Sequence, residues 1–208
     1  MRDIKSIIKL GVSGIEELIR GYLFLSNQER IVTIYGSARS TTSDFSYLEA
    51  RMVGRKLATM GFAVLNGGGP GIMEAVSRGV RDEKGIALGC NIVLTKEEIP
   101  NRFLTNCITV KHFFSRKIIL QMYSKAFVFF SGGFGTMDEL FEIITLIQNG
   151  KMRYRPVILI GMDYFNSFKD QLDIMEEEGM IDSRDKNRIV ITDDIGQIET
   201  ILNTISVE

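Results

Sequence analysis

The segment AFVFFSGGFGTMDELFEIITLIQNG, Ala126 to Gly150, is the most informative part of the sequence about the fold. It opens with an apolar run typical of a strand buried on both faces, passes through a glycine-rich loop and continues in a helix-like pattern. This succession is the βα unit of a parallel sheet. A glycine loop at a helix start favours an anion, yet Asp138 and Glu139 in the first turn would repel one. The stretch therefore also raises the question of which ligand needs both features.

The same alternation repeats on both sides of this stretch. Short β-rich runs predict strands at Ile31–Gly36, Phe62–Gly69, Ile86–Val93, Ala126–Gly133, Pro156–Gly161 and Arg188–Asp194, with a shorter one at Cys107–Phe113. Helical patterns predict helices near Ser43–Met60, Gly71–Asp82, Phe114–Lys125, Thr136–Asn149, Tyr164–Glu178 and Ile195–Ile205. The predicted fold is a doubly wound, Rossmann-like α/β layer with a parallel sheet and helices on both faces. Ligands in such sheets bind beyond the carboxyl ends of the strands.

The N-terminal segment lies outside this alternation. Residues 1–26 show helical apolar spacing interrupted by Gly11 and Gly14, which predicts one or two amphipathic helices. These helices could cover the domain or contribute to a subunit interface. We therefore divide the chain into an N-terminal helical extension, 1–26, and one Rossmann-like nucleotide-binding catalytic domain, 27–208.

Composition excludes several classes of protein. The chain has 208 residues, 45% of them hydrophobic, and a net charge of −1, which gives no electrostatic footprint for nucleic acid. Cys90 and Cys107 are too few for a disulfide scaffold. His112 is the only histidine, so a multi-histidine metal site is impossible. With neither an apolar run of 18 residues nor a signal-peptide pattern, we expect a cytoplasmic protein with no membrane partner.

Two glycine-rich loops follow neighbouring predicted strands. SGGFGT, from Ser131 to Thr136, offers free backbone N–H groups at a helix start together with two hydroxyls, but it lacks the lysine of a nucleoside-triphosphate loop. GGGPG, from Gly67, has Ile72 where a dinucleotide fingerprint requires glycine. Either loop alone could be only a tight turn. The two together favour a phosphorylated ligand.

Two charged residues interrupt apolar helical arcs. On a helical wheel Glu139 falls between Ile143 and Leu146, whereas Asp138 and Glu142 point away. Arg116 similarly interrupts an apolar arc, and Lys117 lies on the polar side with Gln121 and Ser124. A buried charge requires a partner. Arg116 and Glu139 therefore form either a structural salt bridge or a pair that faces a cleft and shares a polar ligand.

Three motifs carry a family resemblance. SGGFGTMDE matches the signature P-G-G-x-G-T-x-x-E with Ser131 in place of the proline, SRK matches the Arg-Lys pair that precedes it, and GGGPGIMEAVSRG matches an earlier glycine-rich loop and helix. Together they resemble the LOG (Lonely Guy) family, which has long been labelled lysine decarboxylase. Its characterised members are nucleoside 5′-monophosphate phosphoribohydrolases. The resemblance spans about Ile31 to Asp194.

The resemblance implies a hydrolase that splits the N-glycosidic bond of a nucleoside 5′-monophosphate, such as AMP or a cytokinin riboside monophosphate. It implies that Arg116 and Glu139 are the catalytic pair, and that Arg116 holds Glu139 ionised. The residues implied to bind substrate or phosphate are Gly36, Ser37, Gly68, Gly69, Lys117, Ser131, Gly132, Gly133, Gly135 and Thr136. No metal or organic cofactor is required. A homo-oligomer, at least a dimer, is implied.

Two other functions stay open at this stage. Related Rossmann-like proteins carry molybdenum cofactor and share such glycine loops, so a non-catalytic nucleotide- or cofactor-binding protein is the main alternative. A sheet protein whose loops serve only the fold is the other. The presence of both Arg116 and Glu139 favours an enzyme.

Overall fold

A computed structural model describes residues 4–93 and 99–205 of the chain. Its strands form one seven-stranded parallel sheet in the order β4-β3-β2-β1-β5-β6-β7. The strands are β1 (Ile31–Tyr35), β2 (Ala63–Asn66), β3 (Ala87–Ile92), β4 (Asn106–Val110), β5 (Ser124–Phe130), β6 (Val157–Ile160) and β7 (Ile189–Ile191). The helices are α1 (Ile4–Leu25), α2 (Phe45–Thr59), α3 (Ile72–Asp82), α4 (Phe113–Met122), α5 (Phe134–Gln148), α6 (Met162–Glu177), α7 (Ser183–Lys186) and α8 (Ile195–Asn203).

Alternate residues of the central strands enter two separate cores. Phe127 and Phe129 of β5 pack in the apolar cluster on one face of the sheet, whereas Val128 and Phe130 pack in the cluster on the other face. Because successive side chains of a strand point to opposite faces, a strand buried on both faces must be apolar throughout. The predicted doubly wound sheet is confirmed.

The strand order reverses between β1 and β5. From β1 the chain adds β2, β3 and β4 on one side, and β5 then returns to the other side of β1. The loops that leave the carboxyl ends of β1 and β5 therefore diverge, which opens a crevice at this topological switch point.

The predicted elements differ from the structure mainly at their ends. The N-terminal segment forms one helix, because neither Gly11 nor Gly14 interrupts α1. Gly14 instead allows close packing, since a Cβ there would lie 2.5 Å from a ring carbon of Phe114. The short helix α7 was not predicted. Residues 1–3 of the predicted extension and 206–208 of the predicted domain lie outside the described residues. Among the described helices, none is both long and apolar enough to span a bilayer.

Candidate active site

A cleft of about 810 Å³ lies at the switch point. The loop after β1, the loop after β5, one face of α4 and the first turns of α5 form its walls. Its volume is within the range of small-molecule and cofactor sites. The lining residues are Ile34–Arg39, Gly67, Met73, Phe113, Arg116, Lys117, Leu120, Gly132–Glu139 and Tyr164.

The N-terminus of α5 forms one end of the cleft. The first N–H groups of an α-helix lack intrahelical partners, and they attract an anion together with the helix dipole. Gly133 and Gly135 leave open space at this end, because a Cβ on either would meet no heavy atom within 4 Å. Gly133 has a φ of −91°, which other residues also adopt. Glycine at position 133 is therefore needed to keep this end of the cleft open, and not to allow an unusual backbone conformation.

Arg116 is held in the cleft wall by backbone carbonyls. Its Nε donates to the Cys90 carbonyl at 2.9 Å, and its Nη2 donates to the Gly67 carbonyl at 3.1 Å. The half-buried guanidinium therefore has hydrogen-bond partners that are backbone carbonyls and not a carboxylate. Arg116 is thus held by backbone carbonyls, and not by the structural salt bridge to Glu139 that the sequence left open.

Glu139 is a buried carboxyl in the same cleft, with only 7% of its surface exposed. Burial raises its pKa to about 7 and outweighs the opposing effects of Lys117 and Arg116. Glu142 raises the pKa further, while a 3.4 Å hydrogen bond from Gln121 Nε2 lowers it. Arg116 favours the ionised form of Glu139, as expected, but its effect on the pKa is smaller than that of burial. The carboxyl is therefore poised to change its charge near neutral pH.

A group of polar side chains joins α4 to α5 beside Glu139. Lys117 Nζ lies 2.8 Å from a carboxylate oxygen of Asp138 and 3.1 Å from one of Glu142. Gln121 Nε2 donates to Glu142 at 3.0 Å as well as to Glu139. Gln121 shares a polar face with Lys117, as predicted, but α5 covers this face and Gln121 is buried. Asp138 is exposed as expected, but it also pairs with Lys117 and lines the cleft.

Most of the residues proposed for the site lie together. Nine of them line the cleft: Gly36, Ser37, Arg116, Lys117, Gly132, Gly133, Gly135, Thr136 and Glu139. Three others do not: Gly68, Gly69 and Ser131.

These three residues take part in the packing that supports the cleft. The carbonyls of Gly68 and Gly69 accept hydrogen bonds from the Asn101 side chain at 3.2 and 3.0 Å. The carbonyl of Ser131 accepts from the Ser37 N–H at 3.0 Å, which joins the two loops of the cleft. In the earlier glycine loop, Gly67 is the residue that faces the cleft.

Sequence reasoning missed further residues of the cleft wall, among them Tyr35, Arg39, Phe134 and Tyr164. Arg39 adds a cation from the loop after β1, and Phe134, at 97% exposed, stands at the start of α5. Tyr164 reaches from α6 and donates to the Gly132 carbonyl. Tyr35 is buried against Phe129, and its hydroxyl has no hydrogen-bond partner among the described residues. The positions of Tyr35 and Arg39, at and just after a strand's carboxyl end, could have indicated them.

A second, smaller cavity lies away from this cleft. It has a volume of about 180 Å³ and lies under the other face of α5, with mainly apolar walls that include Phe141, Leu172 and Met175. Within residues 4–93 and 99–205, no group of three His, Cys, Asp or Glu side chains is placed to hold a metal ion.

Fold and site together define a Rossmann-like protein with a ligand cleft at the switch point of its sheet. A family model described as "Possible lysine decarboxylase" matches residues 73–202. A rice protein named "Probable cytokinin riboside 5′-monophosphate phosphoribohydrolase LOG4" is 33% identical over 175 residues, 83% of this chain and 75% of the rice protein. The Arabidopsis thaliana cytokinin riboside 5′-monophosphate phosphoribohydrolase LOG3 is 31% identical over 172 residues, 79% of this chain and 77% of that protein. The chain belongs to this LOG family.

Solved structures share the fold. A structural-genomics target is 25% identical with a TM-score of 0.61, covering 85% of this chain and 99% of its own. The molybdenum cofactor carrier protein of Chlamydomonas reinhardtii is 19% identical with a TM-score of 0.62, covering 84% of this chain and 99% of the carrier. At 19% identity the likeness shows the fold alone. The predicted class of enzyme, a hydrolase acting on N-glycosyl bonds of nucleotides, is confirmed at the level of the family.

Proposed function

We propose that this protein hydrolyses a nucleoside 5′-monophosphate to free base and ribose 5-phosphate. One observation carries the proposal: a buried carboxyl, Glu139, shares a cleft with the open helix N-terminus at Gly133. A nucleoside monophosphate needs both, because its phosphate is an anion while its ribose develops positive charge as the glycosidic bond breaks. This resolves the apparent conflict between an anion site and two carboxylates.

The phosphate end of the substrate would provide the binding energy. The N–H groups at the start of α5 would hold the phosphate, with Gly132, Gly133, Gly135 and Thr136 around it. A bound phosphate would fix the position of the sugar relative to Glu139, so that binding energy from the phosphate helps to orient the glycosidic bond that breaks. A nucleoside without its phosphate loses this anchor.

Glu139 would act on the ribose as an ionised carboxylate. Water adds to the anomeric carbon as the base leaves with the bonding electrons, and the proton that the water loses passes by way of Glu139 to the departing base, so that the free base and ribose 5-phosphate are formed. The ionised carboxylate stabilises the cationic ribose and orients the attacking water. Because its pKa is raised to about 7, Glu139 is a stronger base than an ordinary carboxylate at neutral pH.

Arg116 would position the ligand. Its two hydrogen bonds to backbone carbonyls use Nε and Nη2, and a guanidinium has five N–H donors, so donors remain for a ribose or phosphate oxygen. The carbonyls fix the guanidinium plane, which lowers the entropy that is lost when the ligand binds.

Base release from matched pairs of nucleotide and nucleoside tests this proposal. A panel of nucleoside 5′-monophosphates with adenine, a modified adenine or a pyrimidine would be assayed beside the corresponding nucleosides. We expect at least one nucleotide to be cleaved, with kcat/KM well above that of its nucleoside. Equal kcat/KM values would contradict the phosphate anchor. Tight binding without release of base from any nucleotide would instead support a carrier of nucleotide-like ligands.

A further inference from the structure

Helix α1 has one apolar face against the domain and a second that is exposed. The first face packs on α4, where Gly14 lies under Phe114 and Gly21 lies against Ile119. The second face is a stripe of five residues, each more than half exposed: Ile8, Val12, Ile15, Ile19 and Tyr22. We call this set the α1 stripe. Exposed apolar side chains that occur singly need no explanation, but a continuous row marks an interaction surface.

The spacing of the α1 stripe indicates the kind of partner that fits it. Its members follow one another at intervals of four, three, four and three residues. This is the heptad pattern by which one helix packs along another, with Val12 and Ile19 at one core position and Ile8, Ile15 and Tyr22 at the other. A helix with the same spacing is therefore the natural partner, and this chain supplies one in every copy.

Charge next to the stripe sets the direction of pairing. Lys9 follows Ile8, and Glu16 follows Ile15, so both charges flank the stripe on the same side. We propose that the α1 stripe packs antiparallel against the α1 stripe of a second copy of this chain. With the two-fold axis near residues 13 and 14, Ile8 lies opposite the partner's Ile19 and Val12 opposite the partner's Ile15.

The antiparallel arrangement also pairs the charges. Lys9 lies beside the partner's Glu16, and the two-fold axis repeats the pair, because an isologous interface uses each contact twice. A parallel arrangement brings equivalent positions together and gives neither charge an opposite partner at this level. The charges that flank a helix seam set the orientation of the helices. Here they favour antiparallel pairing. The inference concerns assembly and does not rest on the proposed activity.

The mass of the full chain in solution tests whether the stripe is an interface. We expect Ile15→Glu/Ile19→Glu to have half the mass of the unsubstituted chain by light scattering at the same micromolar concentration, with helical content retained. Ile174→Glu is the matched control, because Ile174 is 52% exposed on α6, and it should keep the parent mass. A chain of 23.5 kDa at all concentrations, or a doubly substituted chain with the parent mass, would overturn the proposal.

Charge reversal tests the flanking pairs. Lys9→Glu alone and Glu16→Lys alone should each weaken self-association, about two- to fivefold in dissociation constant per affected pair. An equimolar mixture of the two variants, or the double variant Lys9→Glu/Glu16→Lys, should associate about as tightly as the unsubstituted chain. Weakening without such rescue would overturn the antiparallel register.

Disulfide trapping then distinguishes the two directions. In a Cys107→Ser background, which removes the exposed thiol, Ile8→Cys and Ile19→Cys chains would be oxidised separately and as a mixture. Antiparallel pairing predicts a covalent dimer only in the mixture, whereas parallel pairing predicts one in each separate sample. Trapping in the separate samples, or in none, would overturn the proposal. So would a monomer that binds anionic vesicles through α1, which would make the stripe a membrane-surface face.

Discussion

Arg116 occupies the space that a side chain on Gly67 would need. Its Nη2 donates to the Gly67 carbonyl at 3.1 Å, and a Cβ built on Gly67 would collide with the same nitrogen. The guanidinium therefore depends on a glycine in a different loop for its position, and not on the carboxylate of Glu139. The position of Arg116 can therefore be changed by a substitution that leaves Glu139 in place.

Gly67→Ala should lower turnover by moving Arg116. Gly67 does not have a positive φ, so its backbone conformation is compatible with alanine. The added methyl group would instead displace the guanidinium of Arg116. Displacing a positioning group by about 1 Å costs on the order of 10²-fold in rate. We expect kcat/KM to fall by about that factor. Gly11→Ala is the control, because its Cβ would meet no neighbour, and it should leave kcat/KM unchanged. Parent activity in Gly67→Ala would show that the position of Arg116 is unimportant.

Gly133→Ala should weaken binding of the phosphate while leaving the fold intact. The added methyl group meets no protein atom within 4 Å, and the φ of −91° suits alanine. It would instead enter the space assigned to the phosphate, with an expected rise in KM for the nucleotide of about tenfold, or about 1.4 kcal/mol. Cleavage of the nucleoside, measured beside it, should change little. An unchanged KM at an unchanged Tm would contradict the assignment of the phosphate site to this end of the cleft.

Glu142→Gln should shift the pH dependence of kcat/KM to lower pH. Glu142 raises the pKa of Glu139, and its removal also leaves less of the positive charge of Lys117 neutralised beside that carboxyl. Activity that needs ionised Glu139 should rise with pH through a value near 7 in the parent and through a lower value in the variant. Titration of the substrate phosphate is common to both enzymes and cancels in the comparison. Asp138→Asn, which also releases Lys117 but removes a more exposed carboxylate, should give a smaller shift. A shift to higher pH would contradict the arrangement.

The sheet and the general position of the site could be predicted from the sequence. Strands buried on both faces are continuous apolar runs, and the loops at their carboxyl ends contain the glycines. The pattern of Ala126–Gly150 therefore indicates both the sheet and the place of the site. A helical wheel likewise identified Glu139, because a carboxylate in an apolar arc faces inward.

The pairings around the site could not be predicted, since they depend on how two helices meet. Gln121 belongs to a polar face of α4 considered alone, but α5 covers it and gives it two carboxyl partners. Gly68 and Gly69 share a motif with Gly67, yet only the structure shows that Asn101 engages their carbonyls from the adjacent loop. Tyr35 and Tyr164 reach the cleft from elements far apart in the sequence.

The charge of Glu139 links activity to stability with a definite sign. The folded-state pKa is raised from 4.5 to about 7, so the folded protein retains a proton that the unfolded chain releases between these values. The free energy of unfolding attributable to this group therefore falls as pH rises from about 4.5 to 7 and then levels off. At 1.36 kcal/mol per pKa unit, the cost of ionising the buried carboxyl is about 3 kcal/mol above pH 7. A glutamine at position 139 carries no charge and therefore does not incur this cost.

The most direct test of the account is the free energy of unfolding of Glu139→Gln beside its turnover, measured from pH 4.5 to 8 at one protein concentration. We predict that turnover of the best nucleotide falls on the order of 10²–10³-fold, as on loss of one preorganised catalytic group. We also predict that the variant becomes more stable relative to the parent as pH rises toward 7. Turnover at the parent rate, or a variant that is less stable than the parent at pH 8, as a broken structural ion pair would produce, would contradict the assignment of Glu139 as the buried catalytic carboxyl.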